Sequence, residues 1–237
     1  ATQNITVNVT NVNDNTPSIT SSATFSAAEN QTAIGTVTAT DADGDTVTYT
    51  LSGSDASSMS INSSSGVLTF NSAPDYETKS SYTATITASD GTNSATQNIT
   101  VNVTNVNDNT PSITSSATFS AAENQTAIGT VTATDADGDT VTYSLSGSDA
   151  SSMSINSSSG VLTFNSAPDY ETKSSYSATV TASDGTNSST QAITVNVTNV
   201  NDNTPSITSS ATFSAAENQT AIGTVTATDA DGDTVTY

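Results

Sequence analysis

At 237 residues the chain has room for one or two ordinary domains, but 2 Lys+Arg stand against 23 Asp+Glu, for a formal net charge of -21. That balance excludes nucleic acid and anionic membrane surfaces as partners and leaves cations as the natural ones. With no His and no Cys, the chain also lacks the commonest general base, the commonest transition-metal ligand and any disulfide.

Self-comparison overrides the length prior. Pro17, Pro111 and Pro205 recur at a period of 94 residues, and residues 16–109 reappear as 110–203 with five mild changes: Thr50 to Ser144, Thr83 to Ser177, Ile86 to Val180, Ala95 to Ser189 and Asn98 to Ala192. Residues 1–15 copy 95–109, and 204–237 copy 110–143 without a difference. The expected organisation is the last strand and linker of one module (1–15), two whole modules (16–109 and 110–203) and the first strands of another (204–237). Such a chain reads as a stretch of a longer array, and a stretch carries no information about leader or anchor segments.

Within 16–109, apolar residues alternate with Thr, Ser and Asn at period 2, in short runs broken by Gly, Asp and Asn; nothing has a helical period. The pattern predicts seven strands: 19–27, 33–40, 46–52, 58–62, 67–71, 81–89 and 95–104. Phe25, Ile34, Val37, Val47, Tyr49, Leu51, Met59, Ile61, Leu68, Phe70, Tyr82, Ile86, Ile99, Val101 and Val103 are the expected core. Seven short strands in about 100 residues predict an immunoglobulin-like Greek-key β-sandwich. Gly66 is expected at positive φ in a tight turn, and Asp90-Gly91 marks a hairpin.

Each module carries nine acids, Glu29, Asp41, Asp43, Asp45, Asp55, Asp75, Glu77, Asp90 and Asp108, against one cation, Lys79. Asp45 and Asp55 read as scattered surface acids. The others concentrate at strand ends. Asp75-Tyr76-Glu77, if extended, places two carboxylates on one side to share a cation, and Asp41-Ala42-Asp43 repeats the arrangement. A hard cation such as Ca²⁺ needs several such pairs plus oxygens from an irregular loop, which Asn105-Val106-Asn107-Asp108-Asn109 supplies. The run Asp41 to Asp45 is not an EF-hand: Gly44 stands at the fourth position instead of the sixth, and Ser52 at the twelfth.

Five ordered landmarks then resemble a cadherin repeat, particularly the cadherin-like tandem repeats of large bacterial surface adhesins. They are Ala28-Glu29-Asn30, Asp41-Ala42-Asp43, Asp75-Tyr76-Glu77, Ala88-Ser89-Asp90-Gly91 and the Asn105 to Asn109 linker before Pro111. The resemblance implies a linear array of sandwiches with two to three Ca²⁺ ions at each inter-module junction. For the linker at 105–109 it implies Glu29, Asp75 and Glu77 from one module, Asn105, Asn107, Asp108 and Asn109 from the linker, and Asp135, Asp137 and Asp184 from the next. At 199–203 the set is Glu123, Asp169, Glu171, Asn199, Asn201, Asp202, Asn203, Asp229 and Asp231. At 11–15 it is Asn11, Asn13, Asp14, Asn15, Asp41, Asp43 and Asp90. Asn109 is expected to offer its backbone carbonyl. Asn105 and Asn199 stand where the family usually has Asp, which is expected to weaken the middle ion.

The resulting expectation is an extracellular or cell-surface protein, bacterial by its nearest resemblance. Calcium-stiffened modules would serve as the shaft of an adhesin or fibre. The alternative is a lateral or homophilic binding module in a filament or cell contact. Partners would be neighbouring modules and identical chains, with no direct membrane insertion. Catalysis is disfavoured, because Asp75 and Glu77 are too close in sequence to flank a glycosidic bond and the abundant Ser has no base.

Overall fold

The computed structural model describes all 237 residues, which cluster into two compact units, Ala1–Asn107 and Asp108–Tyr237. In the first unit the strands are β1 (Ser18–Ile19), β2 (Thr24–Ala28), β3 (Ala33–Thr36), β4 (Ala39–Thr40), β5 (Thr48–Ser52), β6 (Met59–Ile61), β7 (Val67–Phe70), β8 (Ser81–Ser89) and β9 (Ser94–Thr104). One turn of 3₁₀ helix, Ala56–Ser58, precedes β6, and no helix is long and apolar enough to cross a membrane.

The predicted first and second strands are each interrupted, and the interruptions share a cause. β1 pairs with β4, whereas β2 pairs with β9, parallel, on the opposite sheet. Ser21, Ser22 and Ala23 carry the chain from one sheet to the other. Between β3 and β4, the Val37 amide turns away from the ladder to donate to the Gly66 carbonyl at 2.8 Å. Counting each interrupted strand once leaves the seven the alternation predicts.

The sheets run β2-β9-β8-β5 and β3-β7-β6. Ile34, Met59, Leu68 and Phe70 from one interleave with Tyr49, Ile86, Ile99, Val101 and Val103 from the other. Fully burying a Leu, Ile or Val side chain stabilises by about 1.5–3 kcal/mol, so this one layer supplies most of the driving force. Every expected core residue is buried or packed against the core; Ala27, Ala84 and Ala88 are buried with them. These alanines continue the inward-facing alternation of Phe25 in β2 and of Tyr82 and Ile86 in β8.

Gly66 has φ +70, and a Cβ on it would lie 2.1 Å from the Val37 carbonyl oxygen. That contact excludes every other residue, as the tight turn predicts. Asp90 and Gly91 lie in the β8–β9 hairpin, where the Asp90 amide donates to the Asn93 carbonyl.

The second unit repeats the sandwich 94 residues on, with sheets of the same order. Ile86 becomes Val180, and both are fully buried. Its last part retains only the short pair Ser206–Ile207 with Ala227–Thr228. Residues 1–10, identical to most of β9, form no strand, and Ile5, Val7 and Val9 are 80% or more exposed. β9 is ordered by hydrogen bonds to β8 and β2, and residues 1–10 meet no such neighbours.

Candidate metal centre

Each module ends in acids of two kinds. At the glutamate end, Glu29 follows β2 directly and is only 2% exposed. Its Oε1 accepts the Val106 amide at 2.7 Å and its Oε2 the Tyr76 amide at 2.8 Å. Asn30 beside it takes φ 60, a left-handed conformation that Asn tolerates, and turns the chain away from the sheet. Glu123 repeats the arrangement in the second unit, accepting the Val200 amide at 2.6 Å and the Tyr170 amide at 2.8 Å.

Around Glu123 the second unit assembles four carboxylates, Glu123, Glu171, Asp202 and Asp231, whose oxygens lie within 4.8 Å of one another. Glu123, Glu171 and Asp202 line a hollow of about 180 Å³ together with Asn124, Asp169 and Asn203. Asp231 Oδ2 accepts the amides of Asp202 and Asn203, and the Asn203 side-chain amide donates to Asp231, Asp202 and Glu171. Loss of hydration pushes the Glu171 carboxyl up, helped by the charges of Glu123 and Asp231. The Asn203 hydrogen bonds hold Asp231 below its ordinary value.

At the aspartate end of the first unit, Asp43 clamps the chain leading into the module. Its Oδ2 accepts the amides of Asp14 at 3.0 Å and Asn15 at 2.8 Å, its Oδ1 the Asn15 side chain, and its carbonyl the Asn11 side chain at 2.8 Å. The Asn15 backbone hydrogen bond is the main cause holding the Asp43 carboxyl down. The Asp90 carboxyl is likewise held down, chiefly by the Asn93 amide. Asn93 donates to the Asn15 carbonyl and the Asn13 side-chain oxygen.

The loop carboxylates have one oxygen committed and one left over. Asp41 Oδ1 accepts the amides of Asp43 and Asp45, and Asp90 Oδ1 those of Thr92 and Asn93. The Oδ2 atoms of Asp41, Asp45 and Asp90 are buried and have no hydrogen-bond partner. In the second unit Asp137 clamps Asp108 and Asn109 in the same way, Asp184 accepts the Thr186 and Asn187 amides, and Asp135 Oδ2 is again buried without a partner.

Several expectations change. Tyr76, Glu77 and Thr78 form a turn, not an extended segment, because Asp75 accepts both the amide and the hydroxyl of Thr78. Those bonds hold the Asp75 carboxyl down, the amide foremost. The turn separates the pair: Glu171 joins the four-carboxylate cluster and Asp169 only borders it. The carbonyls of Asn15 and Asn109 receive hydrogen bonds from Asn93 and Asn187, and the side-chain amides of Asn15, Asn109 and Asn203 all donate to carboxylates. Asn199 donates its side-chain amide to the Asp231 carbonyl at 2.9 Å; Asn201 and Asp202 are exposed, and Asp229 and Asp231 share a loop cluster with Asp233. Asn105 and Asn107 belong to the first unit with Glu29 and Glu77, and Asp108 and Asn109 to the second.

The two acids read as scattered are not. Asp55 pairs with Lys79 and accepts the Thr83 amide, while Lys79 also lies 4.6 Å over the Tyr82 ring. Asp45 clusters with Asp41 and Asp43 within 4.8 Å, as Asp139 does with Asp135 and Asp137. The signal was present in the sequence as a third acid at spacing 2. A larger hollow of about 460 Å³, beside Phe164 and Tyr176, contains no carboxylate cluster, and the amide of Asn165 on its wall is satisfied by the Ser151 and Met153 carbonyls.

These arrangements match known proteins. The Cadherin domain family profile matches residues 21–104 and 117–198. Human Protocadherin Fat 4 is 32% identical over 217 residues, 85% of this chain and 4% of its own length. The Drosophila melanogaster protocadherin-like wing polarity protein stan is 33% identical over 231 residues, 86% of this chain and 6% of its own. Among solved structures, protocadherin gammaB7 EC3-6 superposes with a TM-score of 0.76 at 31% identity, over 92% of this chain and 62% of that one. Mouse Cadherin-23 EC22-24 gives 0.73 at 27% identity, over 92% and 78%. The chain spans a few per cent of the curated relatives it matches, and those relatives are animal proteins. With both sandwiches matched by the family profile, the chain belongs to the cadherin domain family.

Proposed function

We propose that this chain is a calcium-stiffened stretch of a long extracellular adhesion protein, with two to three Ca²⁺ ions at each junction between successive repeats. The observation that carries the reading is the set of buried carboxylate oxygens without donors, Asp41 Oδ2, Asp90 Oδ2 and Asp135 Oδ2. A buried anionic oxygen with no hydrogen bond is costly, and a cation is what relieves it. The donor set is all oxygen, as a hard cation requires.

At the linker 199–203 the ligands are Glu123, Glu171, Asp202 and Asp231, with Asp169 and Asn201 at the margin and Asp229 in the loop beyond; the same residue types recur 94 residues earlier. Bound Ca²⁺ supplies two positive charges and a demand for about six to eight oxygens at roughly 2.3–2.6 Å. The chain does the rest. Glu123, held by two backbone amides, presents oxygens that cannot swing away, and Asp231 holds the linker by the amides of Asp202 and Asn203. Ligands drawn from successive repeats stop the linker from swivelling. Because the ion binds the assembled junction, stabilisation grows as ln(1 + [Ca²⁺]/Kd). Affinities of extracellular modules are about 0.1–1 mM.

Near-identical repeats favour a shaft or extender, which needs sameness more than local specialisation. The role is structural, not enzymatic. The bacterial adhesin assignment rests on the repeat resemblance alone, since the relatives named above are animal proteins. A second reading, lateral association with identical chains, is favoured by the gammaB7 relative, which is described as a cis-dimer structure.

The test is Ca²⁺ titration of the full chain, following melting temperature, small-angle scattering and mass, with Asp202→Ala as control. A Ca²⁺-dependent rise in Tm with an extended, stiffened, monomeric particle, reduced in the variant, is expected of the shaft. A doubling of mass in Ca²⁺ would favour lateral association. No response of Tm or shape at millimolar Ca²⁺ would sink the calcium reading.

A further inference from the structure

We infer that Asn93, and Asn187 in its place 94 residues on, is a positioning residue of the metal site: it touches no ion and instead fixes the Asp90 carboxylate and the linker oxygens in one frame. This rests on the calcium reading above, and Asn93 lies outside the five landmarks that carry the family resemblance.

The β8–β9 hairpin sets the residue first. Gly91 takes φ 96, and the Ser89 hydroxyl and the Asp90 amide both donate to the Asn93 carbonyl, at 3.0 and 3.3 Å. The Asn93 amide in return donates to Asp90 Oδ1 at 2.7 Å. Asp90 is thus gripped by one oxygen, and its Oδ2 is buried with no hydrogen-bond partner. The half-buried Asn93 side chain then reaches back 78 and 80 positions in sequence, where its Nδ2 donates to the Asn15 carbonyl at 3.1 Å and to the Asn13 side-chain oxygen at 3.3 Å. An amide nitrogen carries two hydrogens, and both are spent on the linker. The Asn13 side chain in turn bonds Asp90, so Asp90, Asn93 and Asn13 close a ring. In the second unit the Asn187 amide donates to Asp184 Oδ1 at 2.6 Å and its side chain to the Asn109 carbonyl at 3.1 Å.

Asparagine suits the place for a chemical reason. Both of its linker targets are acceptors, so the side chain there has to donate, and a carboxylate would be repelled. An N–H group cannot ligate a cation, so Asn93 orients the oxygens without competing with them. A carbonyl has two lone pairs, and the one that Asn15 gives to Asn93 leaves the other for an ion. Asn93 also adds no charge to a chain that already carries -21. Groups that hold metal ligands from behind are worth about 10–100-fold in metal affinity.

The test uses the full chain with two double variants, Asn93→Ala with Asn187→Ala and Asn93→Asp with Asn187→Asp. Asn98→Ala, which installs the residue the second module carries as Ala192, is the control. Ca²⁺ affinity is read by calorimetry and stability in EDTA by thermal melting. Positioning predicts that the Ala set loses about tenfold in Ca²⁺ affinity and melts in EDTA within a few degrees of the parent, because the hairpin bonds use the Asn93 backbone. The Asp set should also bind more weakly, although added ligand charge by itself strengthens such sites, and the control should bind as the parent does. Tighter binding by the Asp set, or unchanged affinity in the Ala set, would overturn the inference and leave the calcium reading standing. A large fall of the Ala set's melting temperature in EDTA would overturn it too, since the side chain would then be building the fold. If the parent chain binds no Ca²⁺, the calcium reading falls and this inference with it.

Discussion

The two ends of a module use acids in opposite ways. Glu29 and Glu123 spend both carboxylate oxygens on backbone amides of their own unit, so their burial is satisfied by the protein itself. Asp41, Asp45 and Asp90 spend one oxygen on a neighbouring loop or leave both open to the cluster, and keep a buried one with no donor. The first kind builds the fold and offers a fixed platform. The second kind keeps an anionic oxygen that the proposed cation would satisfy. A carboxylate in a metal cluster is thus not one class of residue, and the hydrogen-bond inventory separates the two.

The sharpest way to break this contrast is Glu123→Ala, which takes the acceptor from the part-buried Tyr170 and Val200 amides. Losing each acceptor costs about 1–3 kcal/mol, and urea unfolding should register a loss already in EDTA, with a further loss in Ca²⁺ because a ligand is gone. A loss confined to Ca²⁺ would put Glu123 in the second kind after all. Asp135→Ala should behave in the reverse sense. In EDTA it removes loop hydrogen bonds but also a buried unsatisfied oxygen and a like charge, for a net change within about 1 kcal/mol; the Ca²⁺-induced rise in Tm should largely disappear. A large loss in EDTA would mean that the aspartate end also builds the fold.

The smallest effect sharpens the comparison with an acid of neither end. Lys79 foremost, then the Thr83 amide, lowers the Asp55 carboxyl from 3.8. A lowered carboxylate contributes stability that is present above its unfolded value and lost as pH falls through the folded one. Asp55→Asn should therefore reduce Tm by a few degrees at neutral pH. The gap to the parent should close as the pH drops below 3.8, and Ca²⁺ should leave it unchanged. A gap that stayed constant with pH would mean that the pair with Lys79 contributes nothing.

Much of this was legible in residue order. Period-2 alternation found the sandwich and its core. Gly66 announced its turn, since only a residue without Cβ fits 2.1 Å from a carbonyl oxygen. The acids were harder to read. Asp75 and Glu77 looked like a matched pair because an extended spacing was assumed, and Thr78 bends the segment instead. Asp45 looked idle because its partners depend on how Gly44 folds the loop.

The identical stretches 1–15 and 95–109 separate what the sequence by itself determined from what only the tertiary structure decided. Alternation sets which side chains share a face, and it does so for both copies. In one copy Ser94–Thr104 is an eleven-residue strand between β2 and β8, while in the other residues 1–10 form none. The sequence determined the repeat, the strand pattern and the apolar faces. The parallel pairing of β2, the burial of Glu29 and the grouping of Asp45 with Asp41 were decided by tertiary structure. A strand's backbone bonds, and a buried carboxylate's donors, come from residues far along the chain, and no local pattern records whether they are there.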